Sequence, residues 1–156
     1  MSVRSLKDLQ MTSPFRVGES VSKMAVFDAE AIRSFAVATG DMSPLHHDAK
    51  FASSTRFGGL IVSGGQLSAL MMGMVATFLT ARRVGLGLEF DFKFKKAVIA
   101  GESFTAEWKI VAMESAAKYG GDVIELEGSI VNEKGEMCVA ARSRSLSFPE
   151  QMLTLS

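Results

Sequence analysis

The chain has only two histidines, His46 and His47, and they are adjacent in the stretch Gly40-Asp-Met-Ser-Pro-Leu-His-His-Asp48. Any imidazole chemistry must happen there. Asp41 lies five residues before His46, across a segment in which Pro44 restricts Ser43 to extended geometry. A carboxylate and an imidazole so placed can hold one water between them and activate it at neutral pH. From spacing alone a plainer reading is preferred: Asp41 and Asp48 cap local helices, and both histidines are exposed loop residues. No metal is expected, because adjacent histidines converge poorly on one ion and no cysteine pair accompanies them.

A second stretch with chemical potential is Gly58-Gly-Leu-Ile-Val-Ser-Gly-Gly-Gln66, which enters a long apolar segment. Amides at a helix N-terminus are unpaired and lie at the positive end of the dipole. Gly64 and Gly65 lack side chains, so a carbonyl could approach their amides and an enolate-like oxyanion be stabilised there. Alternatively the glycines serve a tight turn or a close helix-to-sheet contact. They do not form a phosphate loop, since no Gly-Lys-Ser/Thr follows.

The elements that must position these residues can be read in order. Phe15–Phe27 predicts a strand bent at Gly18. Asp28 caps a short helix over Ala29–Thr39 that Gly40 stops, so Asp41–Asp48 is a loop leaving a helix end. Lys50–Arg56 predicts a second short helix, and a long apolar helix follows Ser63. Beyond it the period changes to two. Leu88, Phe90, Phe92 and Phe94 alternate with charged residues, then Phe104, Ala106, Trp108 and Ile110, then Ile124, Leu126 and Ile130, then Met137–Phe148. Four strands joined by turns predict an antiparallel meander. The fold class is α+β, with the long helix against the concave face of a curved sheet.

The 156 residues fit one domain, 1–156, with residues 1–12 as a loose N-terminal arm. Seventeen Lys plus Arg balance seventeen Asp plus Glu, which argues against nucleic acid held by a broad basic field. With 47% apolar and 22% charged residues, disorder is excluded. One cysteine, Cys138, and no apolar leader point to a reducing, cytoplasmic location. Leu60–Ala81 carries no charge, yet its strongly apolar part is short for a membrane span, so no membrane partner is expected. Met71, Met72 and Met74 belong to the core around this helix, with a flexible acyl tunnel as the alternative. Arg82, Arg83, Lys93, Lys95 and Lys96 are read as solvated cations, with phosphate contact as the alternative.

Together these features resemble the MaoC-like branch of the hotdog fold, the family of (R)-specific enoyl-CoA hydratases. Its signature, Gly-Asp-x-Asn-Pro-Leu-His-x-Asp with an aromatic before it and an alanine after, is similar to Phe35…Gly40-Asp41-Met42-Ser43-Pro44-Leu45-His46-His47-Asp48…Ala52. The likeness continues through Ile61-Val62-Ser63-Gly64 and Phe92–Lys95…Gly101-Glu102, over about residues 15–148. It implies syn addition of water to a trans-2-enoyl thioester, and the reverse dehydration. Asp41 is then the general base, His46 orients the water, and the Gly64 amide receives the thioester oxygen, with Ser63 and Ser43 at the substrate's edge. It also implies a homodimer or higher homo-oligomer, an acyl-thioester substrate, and no cofactor beyond the coenzyme A or pantetheine that the substrate carries. Two departures stand out. Ser43 occupies the motif's Asn, and Ser63 the usual histidine before the oxyanion glycine. Rival readings are a hotdog acyl-CoA thioesterase and a non-catalytic acyl-thioester binding or assembly protein.

Overall fold

The structure, a computed structural model, describes residues 13–154; the arm expected over residues 1–12 lies outside the described residues. Strand β1 (Ser20–Val26) is followed by helix α1 (Ala29–Thr39), a 3-10 turn over Pro44–His46, helix α2 (Ala49–Ser53) and helix α3 (Gly64–Thr80). Strands β2 (Val84–Phe94), β3 (Ser103–Ala116), β4 (Gly121–Asn132) and β5 (Met137–Phe148) complete the chain. The first strand is shorter than the sequence predicts. Gly18, at φ 95°, bends the chain, and Phe15 enters the core ahead of the strand.

Helix α1 begins and ends where its capping residues lie. The Asp28 carboxylate accepts from the Ala31 amide at 2.8 Å, and Gly40 takes the left-handed conformation, φ 74°, that terminates the helix. Its buried stripe is Ile32 and Ala36. Helix α3 carries no charged side chain and presents Leu67, Met71, Val75 and Leu79 to the sheet. Its other flank, including Ala69, Met72, Gly73 and Ala76, is exposed. No helix among the described residues is long and apolar enough to cross a membrane.

The five strands form one antiparallel sheet in the order β1-β3-β4-β5-β2. Only β3, β4 and β5 form the expected meander. Strand β2 pairs with β5 at the far edge, not with its sequence neighbour β3. The physical reason is that segment 95–102 is engaged elsewhere. The Val62 amide donates to Val98 O at 2.9 Å and the Ala100 amide to Leu60 O at 2.8 Å. This tie binds the approach to α3 to the sheet's lower rim and carries the chain across the sheet. As an edge strand β2 is covered on its apolar side only in part: Leu88 and Phe94 are 52% and 54% exposed.

Inward-facing residues of the central strands, Phe104, Trp108, Ile110, Ile124, Leu126 and Ile130, are buried against α3, each worth about 1.5–3 kcal/mol. The indole of Trp108, the chain's single tryptophan, donates to Met71 O at 2.9 Å, linking sheet to helix. It fits because its cross-strand partner is Gly128. A Cβ on Gly128 would lie 2.5 Å from the indole ring. Met71 and Met74 are core, whereas Met72 is 42% exposed. It lines an apolar groove of about 520 Å³ with Gly73, Leu79, Leu88 and Phe90.

Gly128→Ala therefore overpacks a rigid ring against a backbone that cannot retreat. Its expected effect is a loss of about 1–3 kcal/mol of stability. Denaturation followed by the fluorescence of Trp108 measures it, and a variant as stable as the parent would contradict this packing.

Candidate active site

The end of α1 sets the position of Asp41. Beyond the left-handed Gly40, the Asp41 amide donates back to Ala36 O at 2.9 Å, so the residue follows the helix in a fixed direction. Its Oδ1 accepts the Ser43 amide at 3.1 Å. The other carboxylate oxygen, Oδ2, faces His46 Nε2 at 3.3 Å. Asp41 and His46, five residues apart in the chain, are thus brought together.

His46 belongs to the 3-10 turn that Pro44 opens. Its ring is nearly buried, with 9% of the side chain exposed against 42% for Asp41. Nδ1 lies 2.8 Å from Ile61 O. A carbonyl only accepts, so this contact assigns a proton to Nδ1 and turns the Nε2 lone pair of the neutral ring toward Asp41. Two lone pairs facing across 3.3 Å are favourable only if a proton is shared or a water donates to both. The pair is therefore set to share one proton, or to accept both hydrogens of one water lying beside it.

The same contact relates His46 to the second expected element. The Ile61 amide donates to Leu45 O at 3.1 Å, so the 44–46 turn and the strand-like approach to α3 are tied in both directions, three residues before Gly64. Gly64 opens α3, and among the described residues neither its amide nor that of Gly65 has an acceptor. His46 and Gly64 line one cleft of about 790 Å³, with Val62, Leu67, Phe57 and Phe94 as its apolar walls. A Cβ on Gly64 would stand 3.1 Å from the Phe94 ring. That ring, on the apolar side of the alternation read from the sequence, is a wall of the cleft.

The two serines are placed differently from His46 and Gly64. Ser43 contributes its backbone amide to Asp41, and its hydroxyl does not cap the 3-10 turn that follows. Ser63 is 2% exposed, and its hydroxyl accepts the Gln66 amide at 3.1 Å as the cap of α3. The sequence signal for this cap was present in Ser63-Gly-Gly-Gln66, the Ser-x-x-Gln pattern of a helix start. Gln66 does not complete the reciprocal bond; its Nε2 donates to Ala31 O at 3.3 Å and so joins α3 to α1.

The cleft's polar rim consists of residues that sequence reasoning left out or read as merely solvated: Arg56, Lys95, Lys96, Lys134, Glu102 and Glu136. The Asn132 amide, and then Lys96 at 2.5 Å, hold the Glu136 carboxyl below its ordinary range. Arg82 and Arg83 do not line the cleft. Arg82 pairs with Glu19 at 2.7 Å and stacks on Phe15 and Phe78, and Arg83 lies 3.8 Å from Asp122. Cys138 is fully buried, and burial raises its thiol pKa, which makes it a poor nucleophile. No group of three His, Cys, Asp or Glu side chains among the described residues is arranged to hold a metal.

Comparison with known proteins bears on the family and the fold. The family described as MaoC like domain matches residues 5–130. The chain is 33% identical over 98 residues to the (R)-specific enoyl-CoA hydratase of Aeromonas caviae, spanning 62% of this chain and 72% of that protein. It is 29% identical over 142 residues to a UPF0336 protein of Streptomyces avermitilis, 83% of each. Among solved structures, the (R)-hydratase from A. caviae involved in PHA biosynthesis superposes with a TM-score of 0.78 at 26% identity, over 87% of this chain and 98% of that one. The wrapped helix and five-stranded sheet are thus the hotdog fold.

The Ser63 cap makes its own prediction. Ser63→Ala leaves the Gln66 amide without its side-chain acceptor and is expected to destabilise the protein by about 1 kcal/mol. Ser63→Gly, by the same comparison, should cost only a few tenths. Urea denaturation of both variants checks the order; equal stabilities for parent and Ser63→Ala would remove the cap from the account.

Proposed function

Because the chain belongs to the MaoC like domain family, we propose that it is a hydro-lyase acting on acyl thioesters. It adds water to a trans-2-enoyl-CoA or related thioester to give the (R)-3-hydroxyacyl thioester, and catalyses the reverse. The observation that carries this reading is the 3.3 Å gap between Asp41 Oδ2 and His46 Nε2, in a ring whose other nitrogen is committed to Ile61 O. The Gly64 amide opens on the same cleft as that ring.

The chemistry follows from these atoms. A water that donates one hydrogen to Asp41 Oδ2 and one to His46 Nε2 keeps its lone pair for the substrate. As that oxygen bonds to C3, Asp41 takes a proton, and the double-bond electrons move through C2 onto the thioester oxygen. The Gly64 amide, at the positive end of α3, stabilises the charge developing there. The proton held between Asp41 and His46 then passes to C2 on the face from which water came. One water is consumed and the enzyme is restored. The reading needs no cofactor beyond the substrate's own thioester. It includes a homodimer, because β2 is an uncapped sheet edge with Leu86 and Leu88 about half exposed.

Purified protein is expected to consume the conjugated double bond of short or medium trans-2-enoyl-CoA and yield a product heavier by one water. Asp41→Asn and His46→Gln should each lower turnover by about 10²–10⁴-fold. Absorbance with mass spectrometry distinguishes the rivals: free coenzyme A without a water adduct means a thioesterase, and binding without turnover means a binding protein.

A further inference from the structure

Adjacent in sequence, the two histidines are held in opposite tautomers. His46 carries its proton on Nδ1, against Ile61 O. His47 places Nε2 2.7 Å from the backbone carbonyl of Asp41, which assigns its proton to Nε2. Like Asp41, His47 is not among the residues lining the cleft, and its contact is the shortest hydrogen bond made by the 40–48 segment.

That contact completes the restraint on Asp41. The amide of Asp41 is held by Ala36 O, its Oδ1 by the Ser43 amide, and its carbonyl by the His47 ring, so that Oδ2 alone is left for His46. The first two ties are local to the helix end and the following turn. The third reaches across the loop, and it is anchored in turn. Arg33 Nε, on α1, donates to the carbonyl of His47 at 3.0 Å, and the His47 amide donates to Pro44 O at 3.2 Å. A ring of contacts therefore leaves α1 at Gly40, runs through Asp41 and His47, and returns to α1 at Arg33.

We infer that His47 is a positioning residue: its ring N–H on the Asp41 carbonyl, braced by Arg33, fixes the Asp41–Met42 peptide plane and thereby the aim of Oδ2 at His46. The inference rests on the hydratase reading for its kinetic consequences and on geometry alone for its structural one. A displacement of a catalytic group by about 1 Å can lower a rate by about 10²-fold, so a brace that acts through the backbone of Asp41 still registers in kcat.

The test compares the full-length parent with His47→Ala, His47→Gln, Arg33→Gln, Asp41→Asn and the Asp41→Asn/His47→Ala double variant. Each is assayed for kcat and KM in enoyl-CoA hydration and for its thermal midpoint. His47→Ala is expected to lose roughly 10–100-fold in kcat with KM within about twofold. His47→Gln, whose amide Nε2 can reach the same carbonyl, should recover most of the loss. Arg33→Gln should show a smaller loss of the same kind. In the Asp41→Asn background, removing His47 should change the residual rate no further, because the brace acts only through that carboxylate.

A folded His47→Ala variant with parental kcat would overturn the inference. So would a multiplicative loss in the Asp41→Asn background, or a rise in KM alone. If His47→Ala does not fold, the glutamine and Arg33 variants decide by the same criteria. If the parent itself hydrates no enoyl thioester, the hydratase reading falls separately. Crystal structures of parent and His47→Gln or His47→Ala then decide the brace: it stands if the Asp41–His46 gap opens on loss of the ring donor, and fails if the gap is unchanged.

Discussion

A seventeen-residue helix without a charge must be covered, and covering α3 is the constraint on which the rest of the molecule depends. An amphipathic surface helix can face water on one side. Here the chain instead curls β3, β4 and β5 around one flank and leaves mainly small side chains on the other. The sheet can approach closely because Gly128 yields its volume to the Trp108 ring, and the ring then hydrogen-bonds to the helix backbone. Packing and polar satisfaction are met by one side chain. The helix N-terminus emerges at the sheet's rim, where the 60–62 segment pairs with 98–100.

The position of the candidate site follows from that rim. The backbone tie between Leu45 and Ile61, and the bond from the His46 ring to Ile61 O, suspend the loop after α1 from the segment that opens α3. The same short stretch fixes the tautomer of His46 and delivers the Gly64 amide to the cleft. Ser63, in the place where the resembled family usually has histidine, is withdrawn into the helix cap. Ser63 is accordingly not among the residues lining the cleft, and the pair of Asp41 and His46 is intact.

Much of this was legible in the residues. The Asp28 cap, the Gly40 stop and the alternation in β3 and β4 are local signals, and each has a local physical cause. The Asp41–His46 pairing was legible as a spacing and became specific through the motif. Three features were not legible because their causes are distant. Strand β2 sits beside β5, since segment 95–102 is recruited by residues 60–62, and no turn signal encodes that. The Phe94 ring follows the same alternation as core phenylalanines, yet its edge position makes it a wall of the cleft. His47 binds a carbonyl six residues upstream, a partner that no side-chain pattern announces. The Ser63 cap is different: its pattern was in the sequence, overshadowed by the glycines.

The zero net charge has a spatial counterpart on the outer face of the sheet. Strand β5 carries Arg142 and Arg144 there, flanked by Glu125 and Glu127 on β4 and by Glu89 and Asp91 on β2. Arg142 meets Glu127 at 2.9 Å, and Arg144 lies 3.4 Å from both Glu89 and Glu125. Exposed pairs of this kind add little stability, about 0–1 kcal/mol each. Their arrangement carries information instead. A slip of two residues between β4 and β5 can still oppose unlike charges, so the ladder says little about register. Placing β2 directly against β4 would set carboxylate against carboxylate, which is unfavourable. The pattern thus works as an address label for strands: β5 sets two cations between the acidic stretches 125–127 of β4 and 89–91 of β2, and an order that placed β2 beside β4 would forgo both sets of pairings.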